Sequence, residues 1–266
     1  MLFRAPVLAG LAAALLFTAL PAHAQRSDAR EVVFRQTFPV RDGQALSVDV
    51  GAGSVVVETT ASGQAEVSVE GRGENVRAAF ERLRFTATQS GGRLTLRTRG
   101  RAAMGRTEAD FVYTVRIPRR FSADVDTGSG NVSVGPLDGA LSVDTGSGNV
   151  TTGAVTGRLS IDTGSGNVRM ADAGAAATID TGSGNVDATL TRVVRLSIST
   201  GSGSVRLALP RAADATLALD GGAVRIDDAL GFVGRREARG AQGRIGRGGE
   251  RISVDTGSGG ISVSAR

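Results

Sequence analysis

The residues best suited to chemistry in this sequence are aspartates that recur within one short motif. Asp-Thr-Gly-Ser-Gly-Asn-Val begins at positions 126, 144, 162 and 180, a constant step of 18 residues. Another Asp-Thr-Gly-Ser begins at position 255, an altered copy begins at Ser199, and a more diverged one at Asp220. Paired carboxylates can act as general acid and base, and a row of carboxylates can bind cations.

The tetrapeptide Asp-Thr-Gly-Ser also occurs in aspartic proteases, where two such aspartates share one proton. Here it occurs five times, four of them at steps of 18 residues. A protease lobe needs far more chain around each motif than this spacing leaves. The repeat spacing therefore argues against a protease.

Other catalytic centres are excluded by composition. His23 is the only histidine, and it lies in a segment that we interpret below as a signal peptide. A mature chain without histidine has neither a Ser-His-Asp site nor a histidine-based metal site. The sequence contains no cysteine, and its glycine-rich segments lack the Gly-Lys-Ser/Thr ending of a phosphate-binding loop.

One enzymatic class remains compatible with the sequence. Parallel β-helices that cleave acidic polysaccharides can work with aspartate and arginine alone. Asp columns beside Arg158, Arg169 or Arg195 would suit such a site, although the chain lacks long loops that would build a cleft. A β-helix polysaccharide lyase or hydrolase is therefore the enzymatic alternative.

The element that must position the aspartates is a repeated strand. In the unit that starts at Leu141, Leu141 and Val143 alternate with polar residues, and Val150 opens a second β-prone run. This period of two, interrupted by glycines, predicts strands rather than a helix. A unit this short must stack on its neighbours to bury its apolar face, so we predict an all-β fold, a single β-solenoid with coils of about 18 residues. A row of hairpins turned at Ser-Gly-Asn is the alternative.

Stacked coils would place identical side chains in columns. Asparagine amides in one column can donate and accept hydrogen bonds among themselves. Aspartates in one column would repel by about 1 kcal/mol per neighbouring pair in water. We expect each aspartate to offset this by capping its own turn, with a row of cation sites as the alternative. The candidate binding face consists of Asp126, Asp144, Asp162, Asp180, Asp255, Asn131, Asn149, Asn167 and Asn185.

The motif glycines are expected to sit at tight corners. Gly128, Gly130, Gly146 and Gly148 would then take positive φ values, which glycine adopts without steric cost.

The first residues predict export. Residues 1–24 read as a secretory signal peptide, with Arg4 at the positive start, an apolar run from Val7 to Leu20, and a small-residue cleavage site ending at Ala24. No later apolar run has the length of about 20 residues needed to span a bilayer. We therefore expect a mature chain from Gln25 that is periplasmic or secreted to the cell surface and does not span a membrane.

The mature chain divides by pattern at about residue 120. Residues 25–120 predict diverged β-repeats, including a copy after Asp49, with a short capping helix within Glu74–Arg84. Residues 121–266 predict the regular coils and a C-terminal coil. The arginine-rich stretch Gly231–Glu250 predicts a solvated excursion from the solenoid, with an anionic-ligand loop as the alternative.

Charge and composition argue against a nucleic-acid partner. All 31 basic residues are arginine, and the formal net charge is +5. In the arginine-rich stretch Gly231–Glu250, no aromatic residue except Phe232 is interleaved with the arginines to stack on a base. The net charge is relevant to the solubility of the protein.

The whole pattern resembles the bacterial putative-adhesin family, an exported β-strand-repeat domain of unknown function. The resemblance is carried by the Thr-Gly-Ser-Gly-Asn-Val repeats and by the segment from Gly248 to Val263. It implies a β-solenoid in an envelope or surface setting and implies no catalytic residues.

These observations predict a non-catalytic, exported β-solenoid without cofactors. Its repeated faces would mediate adhesion or interaction with an envelope or surface component, such as a glycan or a membrane protein. Besides the polysaccharide-cleaving enzyme, the alternative is a periplasmic envelope-sensing accessory protein that binds a membrane partner through an edge or face of the solenoid.

Overall fold

The computed structural model of this chain describes residues 30–99 and 109–266. The predicted signal peptide lies outside the described residues. About 64% of the structure is strand, in line with the predicted all-β class.

The described residues form 23 strands, one α-helix and one turn of 3₁₀ helix. The helix α1 spans Val76–Leu83, and the 3₁₀ turn spans Asp228–Leu230. The strands are β1 (Glu31–Pro39), β2 (Ala45–Val50), β3 (Ser54–Thr60), β4 (Gln64–Gly73), β5 (Phe85–Ser90), β6 (Arg93–Thr98), β7 (Ala109–Pro118), β8 (Ser122–Thr127), β9 (Val132–Val134), β10 (Leu141–Ser147), β11 (Val150–Val155), β12 (Leu159–Ser165), β13 (Val168–Ala173), β14 (Ala177–Ser183), β15 (Val186–Thr189), β16 (Leu196–Ser202), β17 (Val205–Leu209), β18 (Ala215–Asp220), β19 (Ala223–Ile226), β20 (Val233–Glu237), β21 (Gly240–Ile245), β22 (Glu250–Thr256) and β23 (Gly260–Ala265).

The strands build two long sheets that enclose one core. Sheet A has the order β1-β4-β7-β3-β9-β11-β13-β15-β17-β23-β19, and sheet B has the order β20-β21-β18-β22-β16-β14-β12-β10-β8-β2-β6-β5. Each regular coil contributes one strand to each sheet, and these strands pair in parallel with the coils on either side. The β-solenoid is therefore confirmed, and the row of antiparallel hairpins is wrong for the regular coils.

The register follows the sequence period. Leu141 pairs with Leu159, Val143 with Ile161, and Asp144 with Asp162. The apolar members of these pairs are buried while the aspartates are exposed, because successive side chains in a strand point to opposite faces. Residues 18 apart thus lie over one another, as predicted.

The diverged copy near the N-terminus continues the same stack. Asp49 pairs with Asp126, and Val55 pairs with Val132, through parallel ladders between β2 and β8 and between β3 and β9. This confirms the prediction that coil formation begins before the perfect repeats.

The predicted short helix closes the N-terminal end of the core. Val76, Ala79 and Leu83 of α1 are buried, and the helix packs against β4 and β1 of sheet A. The Phe80 ring lies 5.5 Å from that of Phe85 on β5, the last strand of sheet B. The helix and its aromatic neighbours therefore join the end strands of the two sheets.

The C-terminal coil does not follow the chain order. Strand β22 lies between β16 and β18, and β23 lies between β17 and β19. The clean motif at Asp255 thus stacks on the copy at Ser199, while the diverged copy at Asp220 becomes the outer coil. In this arrangement a β-carbon on Gly257 would lie 2.6 Å from the Gly201 carbonyl oxygen, which repeats the close approach of the regular coils.

The stretch Gly231–Glu250, predicted as a solvated excursion from the solenoid, is largely exposed and is ordered as a hairpin. Strands β20 and β21 form an antiparallel hairpin that extends sheet B beyond β18. Its arginines are largely engaged within the protein, since Arg235 pairs with Glu237 at 2.7 Å and Arg247 with Asp214 at 2.8 Å. The stretch therefore extends the end of sheet B as a hairpin instead of forming an irregular loop.

The positive φ predicted for the motif glycines is wrong at three of the four positions. Only Gly130 has a positive φ, of 134°, whereas Gly128, Gly146 and Gly148 do not. Glycine is needed there because backbones approach closely: a β-carbon on Gly146 would lie 2.6 Å from the Gly128 carbonyl oxygen. The glycines thus permit the coils to stack at the corner between the sheets.

Removal of one whole repeat should preserve the fold. Deletion of residues 144–161 removes 18 positions and joins Val143 to Asp162, which restores the same motif in the same register. Because stability in a repeat stack is nearly a sum over units and their interfaces, we expect a cooperative transition with a modestly lower midpoint in chemical denaturation. Deletion of residues 144–152, half a unit, should instead abolish the cooperative transition. Equal effects of the two deletions would contradict the stacked-coil register.

Addition of a single methyl group at a stacked glycine should be costly. We expect Gly146→Ala to lower the free energy of unfolding by roughly 1–3 kcal/mol, because the opposing atom is backbone and cannot move aside. Gly63→Ala is the matched control, since a β-carbon there meets nothing within 4 Å and its φ is not positive. Denaturant titration of both variants measures the difference, and a neutral Gly146→Ala would refute the close-approach explanation.

Candidate functional site

The outer face of sheet B carries the most regular arrangement of functional groups. In each coil, alternate residues of the sheet B strand face outward, and equivalent residues of successive coils lie in one row. In β10, Ser142, Asp144 and Gly146 face out, while Val143 and Thr145 face in. Neighbouring strands repeat this at a spacing of about 4.8 Å. We call the resulting row the Asp column; in spatial order it consists of Asp49, Asp126, Asp144, Asp162, Asp180, Ser199, Asp255 and Asp220.

The carboxylates in the middle of the Asp column have no protein partner. Within residues 30–99 and 109–266, the side chains of Asp126, Asp144, Asp162 and Asp180 make no hydrogen bond or ion pair. The expected capping of each turn does not occur, because the aspartate lies inside a strand whose backbone amides bond to the neighbouring coils. At one end of the column, Arg97 Nε donates to Asp49 Oδ2 at 2.9 Å.

The column disfavours its own charge. Partial burial raises the pKa of Asp126, and the negative charges of Asp144, Asp49 and Asp124 raise it further. Partial burial also raises the pKa of Asp180, to which the charge of Asp162 adds. Desolvation and like charges act in the same direction, since both destabilise the ionised form.

A second column that the sequence analysis missed lies directly beneath. The threonine that follows the motif aspartate, or Ser199, is buried, and its hydroxyl donates to a glycine carbonyl of an adjacent coil, except that Thr145 Oγ1 has no hydrogen-bond partner among the described residues. Thr163 Oγ1 donates to the Gly148 oxygen at 3.3 Å, and Thr181 Oγ1 to the Gly166 oxygen at 3.2 Å. The alternation of inward and outward residues, counted from Val143, would have placed these threonines in the core.

The asparagines form the predicted ladder. Asn149 Nδ2 donates to Asn131 Oδ1 at 3.3 Å, Asn167 Nδ2 to Asn149 Oδ1 at 3.1 Å, and Asn185 Nδ2 to Asn167 Oδ1 at 3.3 Å. Each acceptor oxygen also takes the backbone N–H of the residue above, ending with Ser204 N to Asn185 Oδ1 at 2.9 Å. The amides are therefore occupied in holding neighbouring coils together.

The Asp column and the asparagine ladder are two separate features. Asp144 lies within β10 on the face of sheet B, whereas Asn149 lies at the corner that leads into β11 of sheet A. No hydrogen bond joins the two sets among the described residues. The predicted residues thus align within each set, and the unpartnered carboxylates are the set available to a ligand.

The arginines proposed to accompany the aspartates are elsewhere or engaged. Arg169 lies on sheet A, where it and Arg206 approach Asp187 at 3.8 and 3.3 Å. Arg195 approaches Glu250 at 3.7 Å. The Asp-Arg pairing suited to a polysaccharide-cleaving enzyme is therefore not formed by Arg169 or Arg195 on this face.

Two further features are absent from the described residues. No group of three or more histidine, cysteine, aspartate or glutamate side chains there has a metal-binding arrangement. No helix in the same part of the chain is long and apolar enough to cross a membrane.

Parallel coils, two continuous sheets and single-residue columns define a β-solenoid repeat protein. More particularly, the chain belongs to the Toastrack DUF4097 family, whose sequence pattern matches residues 122–264. This confirms the predicted family resemblance. No curated protein matches the chain.

Three solved bacterial structures are similar to this chain at low identity. A putative adhesin from Bacteroides fragilis NCTC 9343 is 15% identical, with 90% of this chain and 99% of that chain covered and a TM-score of 0.48. A putative cell adhesion protein from Clostridium sporogenes ATCC 15579 is 11% identical, with coverages of 89% and 100% and a TM-score of 0.43. A putative lipid binding protein from Parabacteroides distasonis ATCC 8503 is 13% identical, with coverages of 90% and 98% and a TM-score of 0.36.

Neutralising one member of the Asp column should stabilise the protein at neutral pH. The pKa of Asp180 is raised on folding, so its unfavourable contribution is absent below the ordinary aspartate pKa of about 3.9 and grows as pH rises through the raised value. Asp180→Asn should therefore increase the urea midpoint at neutral pH, and the increase should shrink towards zero at about pH 3.

Asp214→Asn provides a control of opposite sign. Hydrogen bonds from the Arg247 backbone and side chain lower the pKa of Asp214, so its contribution is favourable above the ordinary pKa and is lost as pH falls. This variant should have a decreased urea midpoint at neutral pH. The same sign for both variants would contradict the electrostatic interpretation of the column.

Proposed function

We propose that this protein is a non-catalytic, exported β-solenoid that acts as an adhesin-like or cell-envelope interaction protein. The contact surface is the outer face of sheet B, with the unpartnered carboxylates of the Asp column at its centre. The ligand is an envelope or surface component, either a glycan or a membrane protein, and no nucleic acid or cofactor is involved.

The observation that carries this proposal is that the fold does not require the aspartates. Ser199 occupies one position of the Asp column, and β16 still pairs in register with β14 and β22 on its two sides. A serine there would also relieve the repulsion between neighbouring carboxylates. Recurrence of aspartate in the other coils, where neighbouring carboxylates repel, is best explained by contact with something outside the protein.

The shape of the face supports adhesion over catalysis. The neighbouring outward rows consist of small residues, with Ser142 and Ser160 on one side of the aspartates and Gly146 and Gly164 on the other. The aspartates therefore stand on a shallow, regular surface instead of inside a cleft. A regular row suits multivalent contact with a repetitive or extended ligand, in which many weak contacts add up.

The cellular location in this proposal comes from the N-terminal sequence. The apolar run and the small-residue site ending at Ala24 are typical of a secretory signal peptide. The mature protein would begin near Gln25 in the periplasm or at the cell surface, where it meets glycans, peptidoglycan and membrane proteins.

Binding of the mature protein to a glycan array, isolated peptidoglycan and whole cells tests the proposal. The triple variant Asp144→Ser, Asp162→Ser and Asp180→Ser copies the natural serine at position 199. It should keep the fold and lose binding by at least about tenfold, because several contacts of one multivalent surface are removed together.

A charge-matched control separates the face from general electrostatics. Asp110→Ser, Glu81→Ser and Asp228→Ser together remove three exposed acidic residues outside the Asp column and should leave binding unchanged. Equal loss in both triple variants would overturn the assignment of the face. Turnover of uronic-acid polymers that is lost on replacing a column aspartate would favour the enzymatic alternative, and a single crosslinked membrane protein would favour envelope sensing.

A further inference from the structure

We propose that the C-terminal end of sheet B contains a pocket for a small zwitterion that carries a primary ammonium and a carboxylate, as an amino acid or a peptide end does. A cavity of about 520 Å³ opens on the outer face here, between the hairpin β20–β21 and the strands β18 and β22. This volume lies within the range of small-molecule sites in proteins.

The cavity arises because two small residues occupy outward positions between larger ones. Register places Asp255, Asp220, Gly240 and Glu237 in one row across four strands. In the adjacent outward row, the residue on β18 is Ala218, two positions before Asp220. The absence of a side chain at Gly240 and the single methyl group at Ala218 leave a depression between the carboxylates and the hairpin.

The carboxylates of Asp220 and Asp255 form the anionic wall. The two residues are paired in register on the neighbouring strands β18 and β22, so their backbones lie about 5 Å apart. Neither makes a hydrogen bond or an ion pair with any part of the chain that the structure describes. A primary ammonium has three donors and can reach both carboxylates at once.

Arg239 forms the cationic wall. Its carbonyl oxygen accepts from Gly221 N at 2.8 Å, and its Nη2 donates to the Gly257 oxygen at 3.4 Å. The side chain thus reaches from the hairpin turn across β18 to β22, and Gly257 follows Asp255 on the same face. The long single bond to Gly257 leaves the guanidinium able to pair with a ligand carboxylate, whereas Arg235 is already paired with Glu237 at 2.7 Å.

This combination of charges selects the ligand class. Two free carboxylates without a neighbouring cation would not distinguish one amine from another. Arg239 beside them favours a molecule with both an ammonium and a carboxylate, because each group then meets an opposite charge. Asp220 and Asp255 are end members of the Asp column, but Arg239 and the hairpin define the pocket, so loss of adhesion in the Asp144, Asp162 and Asp180 variant would leave this proposal standing.

Three probes of equal chain length test the pocket: aminohexanoate, hexylamine and hexanoate. Titration into the full mature protein, followed by NMR shifts of the Gly240 and Asp220 amides, should show aminohexanoate binding about tenfold more tightly than either singly charged probe, which corresponds to one lost ion pair. Equal binding of hexylamine would mean that the site is only an acidic patch and would overturn the proposal. Absence of saturable binding by aminohexanoate would overturn it as well.

Single substitutions then assign the two walls. Asp220→Asn should weaken aminohexanoate without affecting hexanoate, and Arg239→Gln should weaken aminohexanoate without affecting hexylamine. Asp144→Asn, in the same column but outside the cavity, is the matched control and should bind aminohexanoate as the unaltered protein does. A loss as large in Asp144→Asn would show that the whole face, and not the pocket, attracts the probe.

Discussion

The structure depends on the parallel hydrogen-bonded stacking of one coil on the next in a fixed register. That stacking requires the backbones to approach closely at the corner after the motif aspartate, where a β-carbon on Gly164 would lie 2.6 Å from the Gly146 carbonyl oxygen. Buried threonine hydroxyls, such as that of Thr163, bond across the same corner to glycine carbonyls. Every column on the surface exists because this corner holds successive coils at the same height and rotation.

The same repetition has opposite energetic consequences for two side chains that differ by one group. Stacked asparagine amides satisfy each other, because each has both a donor and an acceptor, and they add bonds between coils such as Asn167 to Asn149 at 3.1 Å. Stacked carboxylates have only acceptors, so they repel, and the pKa of Asp180 rises as a result of burial and of Asp162. The asparagine ladder therefore stabilises the solenoid, and the Asp column leaves carboxylates on its surface without partners.

Both ends of the rod differ from its middle, as expected for a stack whose last unit has no neighbour. At the N-terminal end, the helix Val76–Leu83 and its aromatic neighbours close the core, and at the other end an antiparallel hairpin extends sheet B. The C-terminal coil is inserted between two earlier coils, so the diverged copy at Asp220 lies outermost. This insertion brings Asp220 next to Asp255 and places the hairpin arginines beside the end of the Asp column.

The period of 18 residues and the alternation around Leu141 and Val143 were enough to predict the solenoid, the register and the two columns, because stacking identical units in register places each residue beside its equivalents in the adjacent coils. The helix near Val76 was predicted from apolar residues at helical spacing, and the diverged copy at Asp49 from its similarity to the motif. The order of the last coils, the true role of Gly146 and the pocket under Arg239 were decided only by the tertiary structure. The reason is physical: those features depend on which coils lie next to each other in the stack. A repeat that fits two neighbouring positions of the stack equally well does not specify which position it takes.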